Sequence, residues 1–162
     1  MRLALTLATA AVAAATLGLS SAQAQDAPAF TGPYHLISFG RDALVFTATG
    51  TVQKSGNMAS VTVITGSNPS TLAETGFARL DMRYQFNCRD ATYKTPVFAA
   101  YNADGGLVGA LDDDKDWEAV NPEAASAIIM ELACNGTIPA DSELNSDPDT
   151  IVAIYRDSLT DQ

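Results

Sequence analysis

Apolar and polar residues alternate between Phe77 and Cys88 more regularly than anywhere else in the chain. Ala78, Leu80, Met82, Tyr84, Phe86 and Cys88 share one side of an extended backbone; Arg79, Asp81, Arg83, Gln85 and Asn87 share the other. That period of two predicts a strand with one buried and one wet face, and Cys88 ends it on the buried side. Tyr34 to Phe39 and Ala43 to Ala48 read as two further strands around Gly40-Arg41-Asp42. Thr51 to Lys54 and Met58 to Thr65 flank Ser55-Gly56-Asn57, a hairpin signal because Gly and Asn tolerate positive φ. Ser67 to Thr75, rich in Ser, Thr and Pro, reads as a loop. Ala91 to Tyr101 is a strand that Pro96 confines to an edge or a bulge, because proline donates no ladder hydrogen bond. Leu107 to Leu111, after the turn Ala103-Asp104-Gly105-Gly106, adds a short apolar strand. Successive turns of this kind predict an antiparallel meander.

The period then changes. Asn121 can cap a helix with Pro122 at its first position. Ala125, Ile128, Ile129 and Leu132 recur at helical spacing up to Cys134, and Asn135-Gly136 stops the run. Residues 139 to 145 read as an acidic linker. Asp147-Pro148 opens a second helix, short, whose stripe of Ile151, Val152, Tyr155 and Leu159 is a docking face for its own domain. The predicted fold class is α+β: a mainly antiparallel sheet with one C-terminal helix packed on it and a second short helix after it.

Residues 1 to 24 read as an export leader. Arg2 precedes a weakly apolar run rich in Ala and Thr, and Ala22-Gln23-Ala24 has the small-x-small pattern of a cleavage site. After cleavage no run is long enough to cross a bilayer, since that takes roughly 20 apolar residues. Export places Cys88 and Cys134 in an oxidising compartment, where two cysteines allow one intramolecular bridge. The rival arrangements are two buried thiols or an intermolecular bridge. Residues 25–138 are expected to form the domain, with 139–162 as an acidic C-terminal extension.

The 162 residues carry a formal net charge of −10. The balance is uneven: residues 25–103 hold six basic and five acidic groups, and 104–162 hold two basic and fourteen acidic. Such a chain repels phosphate backbones and anionic lipid, which excludes nucleic acid as a partner. One His and two Cys do not assemble a multi-ligand zinc site, so no metal or other cofactor is expected. Asp112, Asp114 and Asp116 match the first three ligands of an EF-hand loop and Glu123 the twelfth, but Trp117 stands where that loop turns on Gly. A solvated acidic loop is the expectation. His35 has no nucleophile-elbow serine in the sequence around it, and no phosphate-binding Gly loop or C-x-x-C occurs. Nineteen acids offer many pairings for a carboxylate-dependent hydrolase without a local signature to choose one. The Asn135-Gly136-Thr137 sequon reads as a helix stop.

The order of features also carries a resemblance. An opening aromatic strand leads to LVF-x-x-x-G-T-V-x-x-x-G-N (Leu44 to Asn57), then Tyr84-Gln85-Phe86-Asn87-Cys88, then Trp117-x-x-Val120-x-Pro122, then a helix ending in Cys134. Over residues 33–136 this resembles the surface-adhesin protein E family. The resemblance implies a sheet with a helix tied to it by a disulfide, a motif core of Phe86, Trp117 and Pro122, and no catalysis. It further implies a role at the cell envelope, binding of host extracellular proteins, and homodimers. The function expected is therefore an exported, non-catalytic binding module for a protein or extracellular-matrix ligand. An inhibitor of a basic protein such as lysozyme, and a small periplasmic hydrolase, are the alternatives.

Overall fold

A computed structural model describes residues 32–112 and 115–160. The predicted leader, residues 1–24, lies outside the described residues. The chain runs β1 (Tyr34–Phe39), β2 (Ala43–Ser55), β3 (Met58–Ser67), α1 (Pro69–Thr75), β4 (Arg79–Asn87), β5 (Thr92–Tyr101), β6 (Leu107–Asp112), β7 (Glu118–Ala119), α2 (Ala125–Asn135), β8 (Glu143–Leu144) and α3 (Pro148–Thr160). Eight strands form one antiparallel sheet in the order β6-β5-β4-β3-β2-β1-β8, and β7 pairs with β5 beyond the end of β6. The meander and the α+β class follow from this order.

Each face of the sheet carries one helix. On β3, Ala59, Val61 and Val63 point to a cluster with Phe86 and with Ile129, Leu132 and Ala133 of α2. Ile64 points the other way, to Tyr34, Leu44, Phe46 and Ala48 and to Ile151, Val152 and Tyr155 of α3. Because successive side chains on a strand alternate faces, α2 and α3 lie on opposite sides. Burial of one such aliphatic or aromatic side chain stabilises by roughly 1.5–3 kcal/mol, so each helix is held mainly by its apolar stripe. Tyr155 adds a hydrogen bond to the carbonyl of Gly40 at 2.9 Å. The stripe read on the last helix is a docking face within the chain.

The wet face expected of β4 is only partly wet. Arg79 and Asp81 are each 7% exposed, closed under the side of the sheet that α3 covers, while Arg83, Gln85 and Asn87 beyond them remain partly open. A covering helix some 70 residues downstream is invisible to the local alternation.

Four local expectations change. The two short strands Ala43–Ala48 and Thr51–Lys54 are one strand, because the register slips between Ala48 and Gln53 without ending it. Thr51 fills the gap: its hydroxyl donates to the Ala48 carbonyl at 2.6 Å and accepts from the Thr62 amide at 2.8 Å. The Ser67–Thr75 loop contains α1, capped by Asn68, whose Oδ1 accepts from the Thr71 amide at 2.7 Å, with Pro69 at its first position. Helix α2 starts at Ala125, not at Pro122. Asn121 Oδ1 accepts from the Glu123 amide at 3.0 Å, so the Asn-Pro pair closes a turn ahead of the helix. Ile128, placed on the buried stripe by its spacing, is exposed on α2. Pro96 resolves to the bulge: Val97 pairs with Arg83 and Lys94 with Gln85, so two residues oppose one.

Gly136 ends α2 in the left-handed conformation at φ 76°, as the Asn-Gly signal predicted. Asp147 caps α3, accepting from the Thr150 amide at 3.0 Å and from its hydroxyl at 2.6 Å.

Cys88 and Cys134 form a disulfide across a Cα separation of 5.8 Å, which closes the alternatives of free or intermolecular thiols. It ties the strand end after β4 to the last turn of α2. Lys54 reinforces the junction by donating to the Cys134 carbonyl at 2.8 Å. For a sequence separation of 46 residues the chain-entropy model gives about 4 kcal/mol. Cys88→Ser is expected to lower stability by a few kcal/mol. Reduction should lower the melting temperature of the parent to the same extent, and equal melting with and without reductant would contradict the clamp.

The second helix is tested at Gly66, where an added Cβ would lie 2.9 Å from Val152 Cγ2. Gly66→Ala should push α3 off the sheet and cost about 1–3 kcal/mol in urea denaturation. A neutral substitution would mean that α3 docks loosely.

Candidate binding surface

One charged cluster, one His–Ser pair and one exposed edge compete as functional sites. The first cluster is Arg79 with Asp81 and Asp149. Arg79 Nε lies 3.0 Å from Asp81 Oδ1, and its Nη1 donates to Asp149 Oδ1 of α3 at 2.6 Å. The guanidinium also lies over the Tyr101 ring, 3.9 Å from its centroid. Burial pushes the Asp81 carboxyl up to about 6, outweighing the opposing pull of Arg79. A buried, shifted carboxylate near a second one is the sign a hydrolase would leave. Here, however, both carboxylates are spent on one guanidinium, and Asp81 is closed over rather than facing a cleft. The cluster locks α3 to β4.

The second candidate is His35, whose Nδ1 lies 3.1 Å from Ser142 Oγ in the buried margin between β1 and the approach to β8. The Ser142 hydroxyl donates to the Pro139 carbonyl at 2.6 Å. Its proton is thus directed at the backbone and the imidazole is not its base, so the pair fastens the 139–144 segment to the sheet. Among the described residues no group of three His, Cys, Asp or Glu is arranged to hold a metal. Asp113 and Asp114 of the acidic loop lie outside the described residues.

The exposed edge is β6. Every residue from Leu107 to Asp112 is exposed, with Val108 at 53% and Leu111 at 66%. Its inner side pairs with β5, and no described strand covers its outer side. The opposite border of the sheet is treated differently, since β8 pairs with β1 there and Leu36 donates to the Ser142 carbonyl at 2.7 Å. Beside β6, Leu111 lies opposite Phe98, and exposed Val97 lies opposite Asp112. Beyond the end of β6 stands Trp117. Expected in the motif core, it is 42% exposed, with the Lys94 ammonium 5.5 Å from its ring centroid. The reason is strand order: Trp117 leads into β7, an outer strand paired with β5 alone among the described strands. Phe86 is fully buried, and Pro122 is exposed in the turn before α2. The apolar run Leu107 to Leu111 was visible in the sequence, but its position at the border was not.

These elements can be set against known proteins. The pattern of the family described as surface-adhesin protein E matches residues 36–135. The chain belongs to the surface-adhesin protein E family. The match runs from within β1 to the end of α2, so it includes both cysteines, β6 and Trp117 and stops before α3. Among solved structures, the crystal structure of protein E from non-typeable Haemophilus influenzae is similar at 10% identity and a TM-score of 0.41. The likeness covers 83% of this chain and 92% of that one. No curated protein matches the chain. As an adhesin-family domain with a disulfide, the chain is a surface-adhesin-like binding module of an extracytoplasmic type.

The Arg79 cluster makes stability depend on pH with a definite sign. A carboxyl whose folded pKa is raised from 3.8 to about 6 stabilises the fold fully below 3.8, and that contribution is lost as pH rises through 6. The change is roughly 2–3 kcal/mol for a shift of this size. Denaturation at pH 4 and pH 7 should show that loss in the parent chain and a flatter profile in Asp81→Asn. Parallel profiles would remove Asp81 as its source.

Proposed function

We propose that this chain is an exported, non-catalytic binding module of the cell envelope, periplasmic or secreted, that takes its protein ligand along the β6 edge. In this reading residues 1–24 are the leader, 25–138 the adhesin-like domain and 139–162 an acidic extension. The observation that carries it is the contrast between the two sheet borders. Exposed edge strands offer unpaired N–H and C=O groups to any extended chain, and proteins normally blunt them with charge, proline or a cover. The two-residue β8 and the Leu36–Ser142 hydrogen bond cover the first half of the β1 border, whereas no described strand covers any of β6, which presents Leu107, Val108 and Leu111 with a single charge, Asp112. An added strand gains main-chain hydrogen bonds there, and Val108, Leu111 and Trp117 supply apolar contacts for its side chains. Trp117 becomes a ligand-contacting residue rather than a core one. The family supplies the ligand class, a host extracellular or matrix protein, and the disulfide supports export into an oxidising compartment.

The test is binding of the mature protein to a panel of purified extracellular-matrix proteins, with Val108→Lys/Leu111→Lys beside the parent. Both positions are exposed, so stability should change by less than about 0.5 kcal/mol per site. Binding should fall at least about tenfold, the scale of one lost apolar anchor. Retained binding in the double variant, or no binding by the parent, overturns the reading. A concentration-dependent dimer abolished by the same variant would assign the edge to a second copy of the chain.

A further inference from the structure

The face of the sheet under α3 divides into two halves of different chemistry. α3 covers the half that contains Leu44, Phe46, Ile64, Gly66 and the Arg79 cluster. Toward the β2–β3 hairpin no described helix covers the same face. Strand register places Gln53 and Ser55 of β2, Met58 and Ser60 of β3, Arg83, Gln85 and Asn87 of β4, and Thr92, Lys94 and exposed Val97 of β5 on it; Thr62, also on this face, is buried. None of these is a carboxylate, in a chain with nineteen Asp and Glu. Carboxylates enter at the margins, at Asp112 opposite Val97 and at Asp90, which Asn87 and Arg89 engage.

The surface is concave. A cavity of about 480 Å³ is lined by Gln53, Ser60, Arg83 and Gln85, with Met58 on its rim. Arg83 is fixed within it, because one Nη donates to Gln53 Oε1 at 2.6 Å and to Ser60 Oγ at 2.8 Å. Lys54 also borders the cavity, but its ammonium is turned to the Cys134 carbonyl on the other face. Lys94 pairs with Gln85 on the β5 side, and its ammonium lies 5.5 Å from the Trp117 ring centroid.

From these observations we infer that the polar half of the α3 face binds an acidic saccharide. A guanidinium held by its neighbours at one edge leaves its other donors oriented for a carboxylate. Amide and hydroxyl side chains around it both donate and accept, as sugar hydroxyls require. Peptide main chain would find its partners at a strand edge, and this cavity opens over the hydrogen-bonded strands β2, β3 and β4 at the hairpin end of the face. The cavity's lining comes from three strands, β2, β3 and β4, which span about 10 Å. The inference is independent of the β6 reading and concerns a different part of the sheet.

Calorimetric titration of the mature protein with tetragalacturonate tests it, with the methyl-esterified tetramer and tetraglutamate as comparisons. Saturable binding of the free acid is expected, at least about tenfold tighter than the ester, the scale of one charge-assisted pair. Gln85→Glu, which puts a carboxylate on the floor, should weaken it by a similar factor. Val108→Lys/Leu111→Lys should leave it unchanged, which separates this site from the edge. Should Gln85→Glu lose its near-ultraviolet circular dichroism, Arg83→Gln serves the same purpose without adding a carboxylate. The inference fails if the free acid does not saturate, if the ester binds as tightly, if tetraglutamate binds as tightly, or if the folded variant binds like the parent.

Discussion

The central strand β3 sends apolar side chains to both faces of the sheet, and that constraint organises everything else. Val61 and Val63 on one side and Ile64 on the other are each at most 1% exposed. An antiparallel sheet can leave one face to water only when its strands keep polar residues on that face, and β3 does not. Two covers are therefore required, and the chain has two amphipathic helices for them. They are fixed by different means. α2 is held by a disulfide at its last turn, while α3 is held by the Arg79–Asp149 pair at its first turn and by Tyr155 reaching the Gly40 carbonyl.

How much of this could be read in advance depended on whether the deciding interaction was local. The β4 alternation, the Gly136 stop, the Asp147 cap and the hairpin at Gly56 rest on residues a few positions apart, and the structure reproduces them. The cysteine count left one intramolecular partner for Cys88, so a contact 46 residues away in sequence was accessible through chemistry rather than pattern. α1 was also local in origin. Asn68, Pro69 and Gly76 are a cap, a first position and a stop, but the Ser/Thr richness between them outweighed those signals. The start of α2 failed the other way: Asn121-Pro122 is a sound helix opening that here closes a separate turn, three residues early.

The remaining differences come from distant neighbours. Arg79 and Asp81 are polar residues on a face that alternation assigns to water, and only the packing of α3 takes them out of it. Their burial required mutual pairing, and the raised pKa of Asp81 is the residue of desolvation that Arg79 does not fully offset. Likewise the sequence of β6 is compatible with an interior strand. Its role as a border is a property of strand order, which turn signals leave open. The exposure of Trp117 follows from the same order, because its segment runs along the outside of β5.

Strand order also explains why the acidic and near-neutral parts of the chain separate in space as they do. The strongly acidic residues 104–162 supply β6, β7, both C-terminal helices and β8, which lie at the borders or on top of the sheet. The near-neutral residues 34–101 supply its five inner strands. Where a helix covers those strands, charge is paired or absent. Where neither helix reaches, toward the β2–β3 hairpin, the inner strands show their own composition: amides, hydroxyls, Arg83 and Lys94, with Met58 and Val97 between them. An acidic protein thus keeps a patch without carboxylates in the interior of one face, ringed by elements that carry them. Long-range attraction of an anion to the whole molecule is unfavourable, so selectivity at that patch must come from short-range geometry, which the fixing of Arg83 by Gln53 and Ser60 provides.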